Sequence, residues 1–217
     1  MDRIKGLVFD CDGVLFESRR ANLAYYNTIL KLLGEPTVSE DDNERANLCH
    51  TAASPQVFSG LLGQHRVDDA LRIAETVDYR QFIPCMDPEP GLKESLSALA
   101  RHYPLAIATN RGFSMPQILE HFELLKYFAT VVTSRDVSRP KPFPDMLIET
   151  AKRMQLSIDD LLFIGDSELD QAAARSAGMC FAVYRGELEA DLAINHHHEL
   201  VEFFIGQKPC TNGGRFE

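Results

Sequence analysis

The stretch that most constrains this chain is Leu7-Val8-Phe9-Asp10-Cys11-Asp12-Gly13-Val14, an apolar run closed by two carboxylates one residue apart and a glycine. If residues 4–9 form a buried strand, side-chain alternation puts Asp10 and Asp12 on the same side. Carboxylates that close raise each other's pKa unless a cation or a proton lies between them. A fold that sets such a pair at a strand end is expected to hold a positive ion there. The same residues also fit a β-hairpin, because Asp-Gly between apolar runs is a strong turn signal and Val14-Leu15-Phe16 would be the returning strand. A calcium loop of the EF-hand kind fits worse, since it needs a further oxygen ligand before the glycine and an acid at its end. The octapeptide by itself does not separate hairpin from active site.

The rest of the chain supplies the context. Residues 19–33 read as a helix, with Leu23, Tyr26, Leu30 and Leu33 at helical spacing, Ser18 placed to cap the start and Gly34 to stop the end. From Glu35 to about Ile83 the character is polar and helical, with helices expected at 41–53, 55–62 and 67–79. Beyond it, apolar strands at 105–108, 130–133, 161–164 and 180–183 alternate with helices at 92–102, 116–122, 144–154 and 169–177. Near-continuous apolar strands alternating with helices predict an α/β fold, a doubly wound parallel sheet covered on both faces. The expected organisation is a core of residues 1–16 and 84–205, a small α-helical cap at 17–83 inserted after the first strand, and a loose tail at 206–217. The last helix is expected at 199–204.

Composition narrows the partners. A chain of 217 residues with 45% hydrophobic and 25% charged residues suits one globular domain, or a core with an insert. A net charge of -10 argues against nucleic acid or an anionic membrane as main partner. No apolar segment reaches the roughly 20 residues that span a bilayer. The first core strand begins within a few residues of Met1, so no signal peptide is expected. The five cysteines are odd in number and contain no CxxC, which fits reduced thiols in a cytoplasmic protein better than disulfides or zinc. Cys11 lies between two acids that would raise its pKa, so it is read as a small core filler rather than a nucleophile.

In an open parallel α/β sheet, ligands collect outside the carboxyl ends of the strands. The first strand delivers Asp10 and Asp12 there, and the second delivers Thr109 and Asn110. The loop after the third carries Lys141-Pro142, and the fourth delivers Asp166, with Ser167 and Asp170 just beyond. Acids, a hydroxyl and a lysine in one crevice suit a hard divalent cation together with a phosphate.

These residues also carry a family resemblance. DCDGVLFES, TN at 109–110, KP at 141–142 and GDSELD at 165–170 resemble, in order and spacing, the four motifs of the haloacid dehalogenase superfamily. PEPGLKESLSALA and AAARSAGM are similar to stretches of its phosphoglycolate phosphatase and β-phosphoglucomutase branch, which carries a helical cap where this chain has its insert. The resemblance implies that Asp10 is a nucleophile forming an aspartyl-phosphate and that Asp12 is a general acid/base, kept protonated by its neighbourhood for the first step. It implies a Mg²⁺ site from Asp10, Asp12 (through its backbone carbonyl), Asp166 and Asp170, the last acting through water or supporting contacts. Thr109, Asn110 and Lys141 are implied as phosphate binders. Val14 and Glu17 stand where threonine and aspartate are common in the family.

The implied activity is a Mg²⁺-dependent phosphatase acting on a small phosphorylated metabolite of the phosphoglycolate or sugar-phosphate type. A phosphomutase is the alternative within the family, and a phospho-receiver or silent binding protein the alternative outside it. Neither monomer nor dimer is favoured. Arg111, Arg19, Arg20 and His50 are candidate substrate contacts, with Asn22 beside them; solvated positions for Arg19 and Arg20, and an ordinary helix end for His50, are the plainer readings. His196-His197-His198 is read as a solvated loop rather than a metal tract.

Overall fold

The computed structural model describes residues 3–206. Strand β1 (Gly6–Phe9) is buried along its whole length and is followed by β2 (Phe16–Glu17). Four helices form the insert, α1 (Arg19–Leu32), α2 (Asn43–Thr51), α3 (Ser54–Leu62) and α4 (Val67–Ala74), and β3 (Asp87–Pro88) closes it. The core resumes with α5 (Leu92–Leu99), β4 (Leu105–Thr109), α6 (Met115–His121), β5 (Phe128–Thr133) and α7 (Asp145–Met154). It ends with β6 (Leu161–Gly165), α8 (Glu168–Ala177), β7 (Cys180–Tyr184), β8 (Leu192–Ile194) and α9 (His197–Phe204).

The six main strands are all parallel, in the order β5-β4-β1-β6-β7-β8. The chain builds outward from β1 through β4 to β5, then crosses back to place β6 on the other side of β1. That reversal leaves a crevice at the carboxyl end of β1. Alternation along β1 sends Leu7 and Phe9 into a layer with Leu96, Ile118 and Leu200, and Val8 into the opposite layer with Met146, Leu147 and Ala173. A third cluster lies within the insert, where Leu23, Tyr26, Ile29 and Leu30 of α1 pack on Val57 and Phe58 of α3 and on Ala70 of α4. Each such Leu or Phe contributes roughly 1.5–3 kcal/mol relative to an exposed position.

The hairpin reading of Asp12-Gly13 is overturned. β1 is flanked on both sides by parallel strands, and the residues after Gly13 do not fold back along it. Phe16 and Glu17 pair instead with Pro88 and Asp87, so a two-stranded antiparallel ribbon ties the entry of the insert to its exit. Gly13 adopts φ +74, and a Cβ there would run into the Asp166 carboxylate, so two requirements fix glycine at this turn.

Several expected elements shorten. Helix α4 stops at Ala74, because Thr76 and Val77 are poor helix formers and Asp78 caps a new 3₁₀ turn by accepting from Arg80 N at 3.1 Å. Ser18 does not cap α1; the Glu17 carboxylate accepts from Arg19 N at 2.9 Å, which leaves the Ser18 hydroxyl for another partner. Strand β8 and the β2/β3 ribbon are too short to announce themselves by periodicity. The histidine tract is a correction of a different kind. His196 and His198 are exposed, but His197 is fully buried as the first residue of α9. It stacks on Tyr184 and donates from Nε2 to Val14 O at 2.7 Å, and burial pushes its pKa down to about 4. The tail expected at 206–217 lies, from residue 207, outside the described residues. Among the described residues no helix is long and apolar enough to cross a membrane.

Candidate active site

Asp10 follows the last residue of β1, Thr109 ends β4 and Asp166 follows the end of β6, so three adjacent parallel strands deliver their polar residues to one place. Asp10, Asp166 and Asp170 each offer a carboxylate oxygen, and these oxygens lie within 4.8 Å of one another. Lys141 joins them from the loop after β5, with Nζ 2.8 Å from Asp10 Oδ1 and 2.6 Å from Asp170 Oδ1.

Asp170 is completely buried and already engaged. Its Oδ1 takes Lys141, while Oδ2 accepts from Ser167 N at 3.1 Å and from Ser167 Oγ at 2.6 Å in a capping box that starts α8. It therefore anchors the lysine and the helix start. Gly165 is required beside it, since a Cβ there would collide with the Asp170 side chain.

Asp10 and Asp166 are less well compensated. Burial pushes Asp10 up to about 7, with Lys141 opposing and Asp170 and Asp12 adding to the rise. Burial, reinforced by Asp170 and Asp10, pushes Asp166 up to about 8. Asp10 Oδ1 is buried and outside hydrogen-bonding geometry with any donor, although Lys141 lies within ion-pair distance. Carboxylate oxygens of Asp10, Asp166 and Asp170 gathered within 4.8 Å, more acids than Lys141 alone can balance, are the donor set a hard divalent cation takes. The residues fit such an ion.

Asp12 differs from what spacing alone suggested. Its carboxylate is compensated by partners separate from those of Asp10. Its Oδ1 accepts from Arg111 Nη2 at 2.5 Å and Nε at 3.1 Å, from Asn22 Nδ2 at 3.0 Å and from the Ser18 hydroxyl. Burial alone would raise its pKa, but the Arg111 guanidinium, with the Ser18 hydroxyl donating as well, holds it below the usual carboxylate range. These contacts favour the charged form of Asp12, whereas the resemblance implied a neighbourhood that keeps it protonated for the first step. Among the described residues, these four carboxylates face two buried cations, Lys141 and Arg111.

Asn110 is spent on support. Its Oδ1 accepts from Lys141 N at 3.0 Å and its Nδ2 donates to Lys141 O and to Thr51 O in the insert. Thr109 is buried and its hydroxyl accepts from Arg111 N at 3.2 Å. Cys11 is buried with its thiol pKa raised by burial and then by Asp12, as expected of a filler.

A cavity of about 480 Å³ opens between the insert and the core. Asp12, Asn110 and Arg111 form part of its core wall, and Asn22, Tyr79 and His50 part of the wall opposite. Asp10, Asp166 and Lys141 are not among its walls; it adjoins that cluster through Asp12 and Asn110. Arg111 and His50 are thus brought to the crevice. Arg19 and Arg20 are not: both are exposed on the wall of a separate cavity of about 240 Å³. Reasoning from sequence missed Tyr79 and Ser114, whose hydroxyls accept from Arg111 Nη1 at 2.8 and 3.2 Å, and assigned Ser18 to a cap it does not make.

A parallel α/β core with acids, a lysine and a threonine at or beyond the ends of four neighbouring strands, under a helical insert, defines a class of hydrolase. The model of the haloacid dehalogenase-like hydrolase family matches residues 7–184, and the chain belongs to that family. Within it, the chain is 30% identical to the phosphoglycolate phosphatases of Shigella boydii and Escherichia coli K12 in an alignment 203 positions long that covers 81% of this chain and 79% of theirs. A haloacid dehalogenase superfamily hydrolase of subfamily IA from Geobacter sulfurreducens is 36% identical. Its crystal structure superposes with a TM-score of 0.80 over 92% of this chain and 99% of that one.

Proposed function

We propose that this chain is a Mg²⁺-dependent phosphatase of a small phosphorylated metabolite, of the phosphoglycolate or sugar-phosphate type, working through an aspartyl-phosphate on Asp10. The observation that carries the reading is the buried Asp10 carboxylate beside Asp166, with Lys141 2.8 Å away, at the carboxyl end of the central strand. The relatives named as phosphoglycolate phosphatases support the substrate class. In this reading residues 17–83 are a cap over a core of 1–16 and 84–205.

Asp10 and Asp166 would hold the cation, with the backbone carbonyl of Asp12; Asp170 would keep Lys141 in place. When bound, the ion supplies positive charge to the phosphoryl oxygens. Asp10 attacks phosphorus, and Lys141 and Thr109 stabilise charge on the transferring group. Asp12 moves the protons. In its protonated form it gives a proton to the departing alcohol oxygen in the first step, and the carboxylate so left takes one from water as water attacks the phosphoenzyme in the second.

Turnover of an aryl phosphate should vanish with chelator and return with Mg²⁺, whereas Ca²⁺, with its larger and looser shell, should support it poorly. Full activity after chelation would sink the metal assignment. A turnover screen over phosphoglycolate, sugar phosphates and nucleoside monophosphates then ranks the substrates.

The pKa values add a pH signature. Asp10 and Asp166 sit at about 7 and about 8 against an ordinary 3.8, so the cation-free fold binds their protons more tightly than the unfolded chain does. Their contribution to stability is full below about pH 4 and is lost as pH rises through 7 and 8. Mg²⁺ should therefore raise the melting temperature more at pH 8.5 than at pH 5.5, where it must displace protons. At a hundredfold excess over its dissociation constant the gain is about 2.7 kcal/mol, or roughly 5–10 °C for a chain of this size. An equal shift at both pH values would contradict the assignment.

A further inference from the structure

His50 lies in the last turn of α2, is 5% exposed and forms part of the cavity wall opposite Asp12. Its Nε2 has no hydrogen-bond partner among the described residues. The hydrogen bonds around it decide which ring nitrogen carries the proton. A guanidinium only donates, so the Asn22 atom 2.7 Å from Arg111 Nη2 is the amide oxygen. Tyr79 accepts from Arg111 Nη1 and passes its own proton to the same Asn22 oxygen at 3.0 Å. The Asn22 amide nitrogen is thereby turned toward Asp12 Oδ1 at 3.0 Å and His50 Nδ1 at 3.4 Å. An amide N–H₂ needs an acceptor, so His50 Nδ1 is bare and the proton sits on Nε2. Burial, the leading influence, also pushes the pKa of this imidazole down. His50 thus carries a buried, neutral N–H with nothing to receive it.

The neighbouring groups cannot take its place. All five N–H bonds of Arg111 are committed, to Asp12, Asn22, Tyr79 and Ser114. Tyr79 has given its proton to Asn22, and the Tyr26 hydroxyl is paired with Ser54 at 3.1 Å. A buried donor without an acceptor is unfavourable, and a ligand that supplies the acceptor relieves it.

We propose that His50 Nε2–H donates to an oxygen on the alcohol part of the phosphate ester, so that this site selects esters whose leaving group carries a second oxygen over those whose leaving group is hydrocarbon. The inference rests on the phosphatase reading above and assigns the specificity of that same cavity. The shared chemistry is an oxygen acceptor, which a carboxylate or a hydroxyl can provide; a charged acceptor gains more from the bond than a neutral one.

The test compares three esters of similar size in wild type, His50→Phe and His50→Gln: phosphoglycolate, 2-hydroxyethyl phosphate and ethyl phosphate. The Phe variant keeps a ring without the donor; the Gln variant restores an N–H₂ near the place of Nε2. His50→Phe should lower kcat/KM on phosphoglycolate about 10- to 100-fold and on the hydroxyethyl ester less than about 10-fold, through KM rather than kcat. Ethyl phosphate should change less than about twofold, and His50→Gln should recover most of the loss. Ratios between esters within one variant are independent of how much of it is folded. A fall that is equal on all three esters, or no fall on any, overturns the proposal while leaving the phosphatase reading intact. Failure of the wild type to hydrolyse these three overturns this inference, and failure on the aryl phosphate and the whole substrate screen as well overturns the phosphatase reading with it.

Discussion

Asp10→Asn should reduce turnover by on the order of 10⁶-fold, the scale on which an enzyme loses rate when its covalent nucleophile is removed. The amide has the shape of the carboxylate but no lone pair able to attack phosphorus and leave as a good group. Phosphate monoesters hydrolyse so slowly unaided that accelerations of up to ~10²¹ are known, so no background route would mask the loss. The fold should not suffer. Burial raises Asp10 to about 7, which means that its charged form is disfavoured where it stands. Removing that charge should leave the cation-free protein melting at or above the wild-type temperature at pH 8. An inactive variant that also melts well below wild type would mean that Asp10 acts through structure rather than chemistry.

Lys141→Met should have the opposite profile, damaging stability and rate together. Lys141 is 4% exposed, and Asp10 and Asp170 hold its ammonium charged, although burial alone would lower its pKa. Methionine fills the same volume but leaves the fully buried Asp170 without its partner. Breaking a buried pair from one side costs about 3–5 kcal/mol, and losing a group that stabilises transition-state charge costs roughly 10²–10³ in kcat. The two effects are separable by thermal melting and by kcat measured at saturating substrate on the folded fraction. Lys141→Met with wild-type melting and a lowered kcat would show that Asp170 finds another proton or cation. A variant with unchanged kcat would remove Lys141 from the proposed mechanism.

How much of this was legible in the sequence depended on distance along the chain. Asp10, Thr109, Asn110 and Asp166 each sit at or just past the end of an apolar strand, so periodicity placed them at one edge of the sheet. The double winding followed from the same alternation. What sequence could not place is what depends on the insert closing over the core. Tyr79 bonds to Asn22 across 57 positions and Arg111 to Asp12 across 99. No local pattern signals either pair. For that reason Asp12 was expected to share a cation with Asp10, whereas Arg111, Asn22 and Ser18 compensate it separately. His197 shows the reverse failure. Three consecutive histidines look solvated, and only the packing of α9 on Tyr184 buries the middle one. Arg19 and Arg20 start the helix that carries Asn22, yet helical rotation turns them to the outside while Asn22 faces the cavity.

The central claim is that phosphate passes through Asp10, and isotope labelling alone does not test it. Attack of water at phosphorus puts solvent oxygen into the released phosphate whether the water strikes substrate or an aspartyl-phosphate. Trapping separates the two. Enzyme turning over with Mg²⁺ is quenched rapidly in acid, reduced with borohydride and digested, and the peptide containing Asp10 is examined by mass. The account predicts phosphate on Asp10 before reduction and homoserine in its place afterwards, absent from the Asp10→Asn variant. Repeated quenches of active enzyme that leave Asp10 unmodified, under conditions that preserve a control acyl phosphate, would contradict it and assign the attack to water.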